Sequence, residues 1–157
     1  MAEIFAEHEP DEDVERPNSD WWYKRAGAVY FFGAGDPLVA VKIGVTTIKK
    51  EKDKVQEVDW HACIRHRHKQ IQSSNHEAIK LLGIIRYSNG EKPARAAELR
   101  ERALHKQFKN LQLFKPHTMG AEWFKPSTEL LAHIERLRQE TKQLDGYQSV
   151  IGTPINR

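Results

Sequence analysis

Gly27-Ala28-Val29-Tyr30-Phe31-Phe32-Gly33-Ala34-Gly35-Asp36-Pro37-Leu38-Val39-Ala40-Val41-Lys42-Ile43-Gly44-Val45 is the stretch that decides the architecture. Residues 27–32 are β-branched and aromatic and bounded by glycine, which predicts a strand. Gly33 to Pro37 is a turn cluster. In 39–45, Val39, Val41, Ile43 and Val45 alternate with Ala40, Lys42 and Gly44, so a second strand has one apolar face and one face carrying Lys42 and a glycine. Two strands and a short turn make a β-hairpin.

Outward from the hairpin, residues 46–59 are polar, with a charge run over 49–54, and read as a surface excursion. A helix is expected from about Asp59 to Ser73, with a thin apolar stripe at Ala62, Ile64 and Ile71 among arginines, lysines and histidines. Ile79 to Tyr87 reads as a third strand. Pro93 opens a helix over roughly 93–112, since proline suits a first helical position. Residues 119–124 form a short element ending in Trp123-Phe124. Ser127 fits the cap of a last helix whose stripe is Leu130, Leu131, Ile134 and Leu137. Strand, strand, helix, strand, helix, helix is not the alternation of a doubly wound fold. The expected class is α+β, a small three-stranded antiparallel sheet flanked by helices.

The chain has 157 residues and one cysteine, Cys63, so it is one domain's length and holds no internal disulfide. An intracellular, reducing compartment is expected, cytoplasmic or, in a eukaryote, nuclear. No apolar run is long enough for a membrane helix, and the first residues are acidic where a signal peptide is basic. Residues 1–19 carry seven acids and one arginine, net −6, while the remainder carries 24 bases against 15 acids, net +9. The reading is therefore an acidic, disordered leader over 1–19, a domain over 20–145 beginning near Trp21-Trp22-Tyr23, and a tail over 146–157. The basic body suits a polyanion such as nucleic acid. The leader either competes for that basic face or is simply a solvated terminus.

Glu101 is the most informative single residue. On a helix, Ala97, Leu104, His105 and Phe108 lie within about 60° of it, on the face expected to point inward. A carboxylate there must be paired, hydrogen-bonded or bound to a metal. An internal ion pair with an arginine and a metal ligand are equally consistent with its position. Glu98 and Arg100 are expected to face solvent. Tyr30 alone reads as a core or edge tyrosine, and Lys42 alone as a solvated lysine.

Taken in order, these pieces resemble a known family. Ala28-Val29-Tyr30 and Lys42-Ile43-Gly44 resemble the paired signature of the GIY-YIG endonuclease superfamily. Arg67 to Ser73 resembles the family's arginine-bearing helix, and Glu101 to Phe108 resembles the helix bearing its metal-binding glutamate. Ala121-Glu122-Trp123-Phe124 resembles the closing motif of a branch of small phage, bacterial and fungal nuclease-like DNA-binding proteins that includes the meiotically up-regulated family. Phage or bacterial defence, mobile elements and repair are its possible settings.

The resemblance implies a metal-dependent DNA endonuclease with catalytic Tyr30, Lys42, Arg67, His105 and Glu101. Tyr30 would orient or deprotonate the attacking water. Arg67 would stabilise the phosphate. Glu101 would hold one Mg2+ or Mn2+ ion. Lys42 stands where the second signature usually has tyrosine, and could neutralise phosphate or act as a base. The family's late asparagine has no counterpart. The long 46–59 segment makes Arg65 a rival for Arg67 and is the best candidate for substrate contact. Arg65, Lys69, Lys49 and Lys50 would contact substrate phosphates. Cutting both strands with one site would favour a homodimer.

The alternative is a DNA-binding module of the same fold that cuts weakly or not at all. A zinc site built from His61, Cys63, His66, His68 and His76 matches no recognised spacing, and a basic phosphate-binding face is the simpler reading. Cys63 with His66 or His105 as a hydrolase resembles no such family.

Overall fold

The computed structural model describes residues 20–49, 55–114 and 122–145. The expected disordered leader and C-terminal tail lie outside these residues, as does Lys50. Among the described residues the elements are α1 (Asp20–Tyr23), β1 (Ala26–Ala34), β2 (Ala40–Ile48), α2 (Glu57–Ser73), β3 (Ile79–Tyr87), α3 (Pro93–Gln107), a 3-10 turn (Lys109–Leu111), β4 (Trp123–Phe124) and α4 (Thr128–Asp145). The class is α+β, as expected. The sheet has four strands in the order β3-β1-β2-β4, each pair antiparallel, rather than three. The added strand is two residues long, too short for a period-two pattern to announce.

β1 is buried along its whole length because both faces of the sheet are covered. Tyr30 and Phe32 face α2 and pack with Trp60, Ile64 and Ile71. Val29 and Phe31 face α3 and α4 and pack with Leu104, Phe108, Leu130 and Ile134. This explains the unbroken apolar run of β1, since a strand covered on both faces has no polar side. The β1–β3 register shifts between Phe31 and Phe32. That irregularity lets Leu81 and Ile84, three residues apart, share the α2 face.

β2 runs to Ile48, so Thr46, Thr47 and Ile48 belong to the strand and not to a surface excursion. Thr46 and Ile48 are buried. The apolar alternation was legible, but its register with the polar 46–59 segment was not. The helix expected to run to 112 ends at Gln107, and the 3-10 turn takes over. Ser127 caps α4 as expected, its Oγ accepting the Leu130 N–H at 3.1 Å. Among the described residues no helix is long and apolar enough to cross a membrane.

Two contacts fix the sheet against its neighbours. Gly27 lets α3 lie close, since a Cβ there would sit 2.9 Å from the Cα of Ala94. Gly44 faces Tyr30 across the β1–β2 pair, and a Cβ there would sit 2.3 Å from the tyrosine hydroxyl.

Glu98 is buried, against expectation. It is 6% exposed and lies between Arg95 and Arg102 of its own helix. The physical reason is α1, whose Tyr23 is fully buried and lies under the Arg95 guanidinium, so this side of α3 is covered. Arginines three residues before and four after Glu98 were the available signal.

Gly44→Ala is expected to cost about 1–3 kcal/mol in urea unfolding. The penalty should shrink in a Tyr30→Leu background, because the clashing ring tip is gone. Equal penalties in the two backgrounds would contradict the close approach. Glu98→Ala should cost about 3 kcal/mol in the same unfolding measurement, because it breaks the buried Arg95–Glu98 ion pair.

Candidate active site

The site is built around the outer edge of β2. Because Gly44 has no side chain, the Tyr30 ring lies across β2 with its hydroxyl over the strand. Lys42, two residues earlier on the same face, forms an ion pair with Glu122 (Nζ–Oε2 3.3 Å) and sits 5.7 Å from the Trp123 ring centre. β4 pairs with β2 only at Val41 and Lys42. Past that point a side chain from α3 reaches the β2 edge, and His105 Nε2 lies 2.8 Å from the Ile43 carbonyl oxygen.

α2 brings Arg67 to the opposite side of the tyrosine. Its guanidinium carbon lies 5.9 Å from the Tyr30 ring centre, and Nη2 is 3.5 Å from Thr46 Oγ1. Helix phase decides this. Trp60, Ile64 and Ile71 turn one face of α2 onto the sheet, and Arg67 lies beside that face. α2 is also stitched to the start of β3. His68 Nε2 donates to the Ile79 carbonyl at 2.7 Å, and Gln72 Oε1 accepts the Ile79 N–H at 2.9 Å.

Arg65 and Lys69 are exposed and lie about 160° round the helix from Arg67. Lys49 is exposed at the end of β2. The structure does not bring these three expected phosphate contacts to the Tyr30 cluster. Of Arg65 and Arg67, it is Arg67 that lies beside Tyr30, because the apolar stripe sets the phase of the helix.

Glu101 and His105 lie one turn apart on α3, with Oε1 and Nε2 at 3.5 Å. The Glu101 side chain is 13% exposed, neither fully inward nor solvated. Ala97, Leu104 and Phe108 are buried beside it, as the stripe predicted. Among the described residues no three histidine, cysteine or acidic side chains gather to hold a metal. The histidine-rich run of α2 is dispersed: His68 is engaged with Ile79, and His66 is exposed. Cys63 lies against Thr46 and the Thr47 carbonyl.

The charges have consequences for protons. Burial pushes the Tyr30 phenol well above its ordinary range, Glu122 and Glu101 push it further, and Arg67 partly opposes them. Tyr30 therefore stays a neutral phenol at neutral pH, able to donate a hydrogen bond but not to give up its proton. Burial lowers the His105 pKa below 6.5, against the opposing pull of its Ile43 hydrogen bond and of Glu122. A carbonyl only accepts, so Nε2 carries the hydrogen and the lone pair sits on Nδ1. The cluster thus combines a protonated phenol, a neutral imidazole, a guanidinium, an ammonium–carboxylate pair and a second carboxylate.

Glu122, Trp123 and Thr46 were given no role from sequence, although Glu122-Trp123 was visible as an aromatic-ended motif. A groove of about 490 Å3 opens beside the cluster, between the second half of α2 and the Lys42–Trp123 pair. No family model, curated protein or solved structure matches the chain.

The His105 shift predicts acid sensitivity. Above pH 6.5 neither the folded nor the unfolded imidazole holds the proton. As pH falls below 6.5, the unfolded chain takes up a proton that the native state resists, so stability falls until the native imidazole also titrates. Urea midpoints between pH 7.5 and 5 should drop more steeply for wild type than for His105→Gln. Identical slopes would contradict the buried neutral imidazole.

Proposed function

We propose that the chain is a GIY-YIG-like endonuclease that hydrolyses DNA phosphodiester bonds with the help of one divalent cation. The observation that carries this reading is the convergence of Tyr30, Lys42, Arg67 and the Glu101–His105 pair, from four elements, on one edge of β2. Nothing in general packing requires a guanidinium, an ammonium and two carboxylates to gather round a buried phenol. A phosphoryl-transfer site does require such charges.

In this reading Arg67 binds the scissile phosphate and stabilises the charge that grows on its oxygens. Lys42 adds a second cation once phosphate competes with Glu122 for it. Tyr30, held as a phenol, orients the attacking water or a phosphate oxygen through its hydroxyl hydrogen. His105 Nδ1 is the lone pair able to take the water's proton near neutral pH. The donor set fits Mg2+ or Mn2+, which bind through one or two carboxylates and substrate phosphate while keeping several waters. Glu101 would hold that ion, which when bound polarises the phosphate and stabilises the leaving oxygen.

A DNA-binding module of the same fold that does not cut is the second reading. It is favoured by the Lys42–Glu122 pair, which already satisfies the lysine standing in a tyrosine's place.

Supercoiled plasmid and a labelled single strand together separate the two readings. Wild type should cut at least one of them with Mg2+ or Mn2+ and not with chelator, and Glu101→Ala should bind DNA without cutting. Retained salt-sensitive binding with no cutting by wild type would support the binding module. Arg67→Ala should lower the cutting rate by about 10²-fold or more, while Arg65→Ala stays near wild type. The reverse ranking would contradict the placement of the site.

A further inference from the structure

We propose that the groove beside the cluster holds one unpaired nucleotide, so that the enzyme's substrate is single-stranded DNA. The inference rests on the nuclease reading for its phosphate end and extends it by naming the strand state of the substrate.

The groove is polar. One wall is α2, with Arg67 towards one end and Ser73, Ser74 and Asn75, where the helix finishes, at the other. Lys42 and the indole of Trp123 line the facing wall. Arg67 and Ser74 are seven residues apart on the helix, roughly 10 Å along its axis, which matches the reach from a phosphate to the far edge of its own base. The volume of about 490 Å3 falls in the range of small-ligand sites.

The electrostatics give the nucleotide a direction. Arg67, at the near end of the α2 wall, attracts phosphate. The far end carries the carbonyl pole of α2, whose last turn has no basic residue to offset it. The Ser73 and Ser74 hydroxyls donate to the Gln70 and Ile71 carbonyls, so their oxygens present lone pairs. Asn75 Oδ1 accepts the Glu77 N–H, which leaves its amide nitrogen to donate. That end disfavours a phosphate and offers acceptors and a donor to the edge of a base. Trp123 supplies the flat apolar surface on which any base can stack. A paired base has its Watson–Crick edge occupied and both faces stacked, so it cannot enter without leaving the duplex.

The test is fluorescence anisotropy in chelator with one labelled oligonucleotide, single-stranded and annealed to its complement. Single strand should bind at least tenfold tighter than duplex. Trp123→Ala should weaken single-strand binding about tenfold, within the range of one lost stack. Trp123→Phe should keep most of the affinity, and duplex binding should change less than twofold in both. Gln70→Glu, at an exposed position on the groove wall, should weaken single-strand binding severalfold, and it carries the test if circular dichroism finds Trp123→Ala unfolded. Equal affinity for the two forms, or variants that weaken both equally, would overturn the proposal. The same samples with Mg2+ separate the two claims. Strand discrimination without cutting keeps the subsite and removes the nuclease. Duplex cutting unchanged by Trp123→Phe and Gln70→Glu keeps the nuclease and removes the subsite.

Discussion

Tyr30 lies across β2 because residue 44 has no side chain, and the arrangement of the candidate site depends on that one close approach. A Cβ at 44 would collide with the tyrosine hydroxyl at 2.3 Å. With the ring in place, the phenol sits over the middle of the strand. It lies under Arg67 from α2 and within the electrostatic reach of Glu101 from α3 and Glu122 beside β4. The hairpin register delivers the tyrosine to the glycine, and β4 stops early enough to leave the Ile43 carbonyl for His105.

The same geometry sets the protonation states. A buried phenol facing two carboxylates is hard to ionise, and burial makes the imidazole hard to protonate although its hydrogen bond to a carbonyl pulls the other way. One group therefore gives a hydrogen bond and the other offers a lone pair, near neutral pH. Lys42 is different in kind. Its partner Glu122 is partly exposed, so the ion pair is open to exchange with an incoming anion.

Much of this was legible in the sequence, for local reasons. Period-two alternation found the hairpin, and helical periodicity placed Glu101 beside buried Leu104 and Phe108. The apolar stripe of α2 determines that Arg67 and not Arg65 lies beside Tyr30. It needed Trp60 to be counted with Ile64 and Ile71, and the expected helix began too close to that residue for it to weigh. What was missed depends on contacts distant in sequence. Two-residue β4 exists only because β2 has an edge to pair with. Glu98 is buried only because α1 covers α3. Ser73, Ser74 and Asn75 read as a helix end, and became a groove wall only when Trp123 was placed opposite them.

The proposed function has Glu101, within electrostatic reach of Tyr30, holding the divalent ion of a phosphodiesterase. Electron paramagnetic resonance of Mn2+ measures it without relying on turnover. Titrating the protein in the presence of a phosphorothioate oligonucleotide should remove one equivalent of the free Mn2+ signal per wild-type chain, and none per chain of a folded Glu101→Ala variant. An unchanged stoichiometry in that variant would contradict the account.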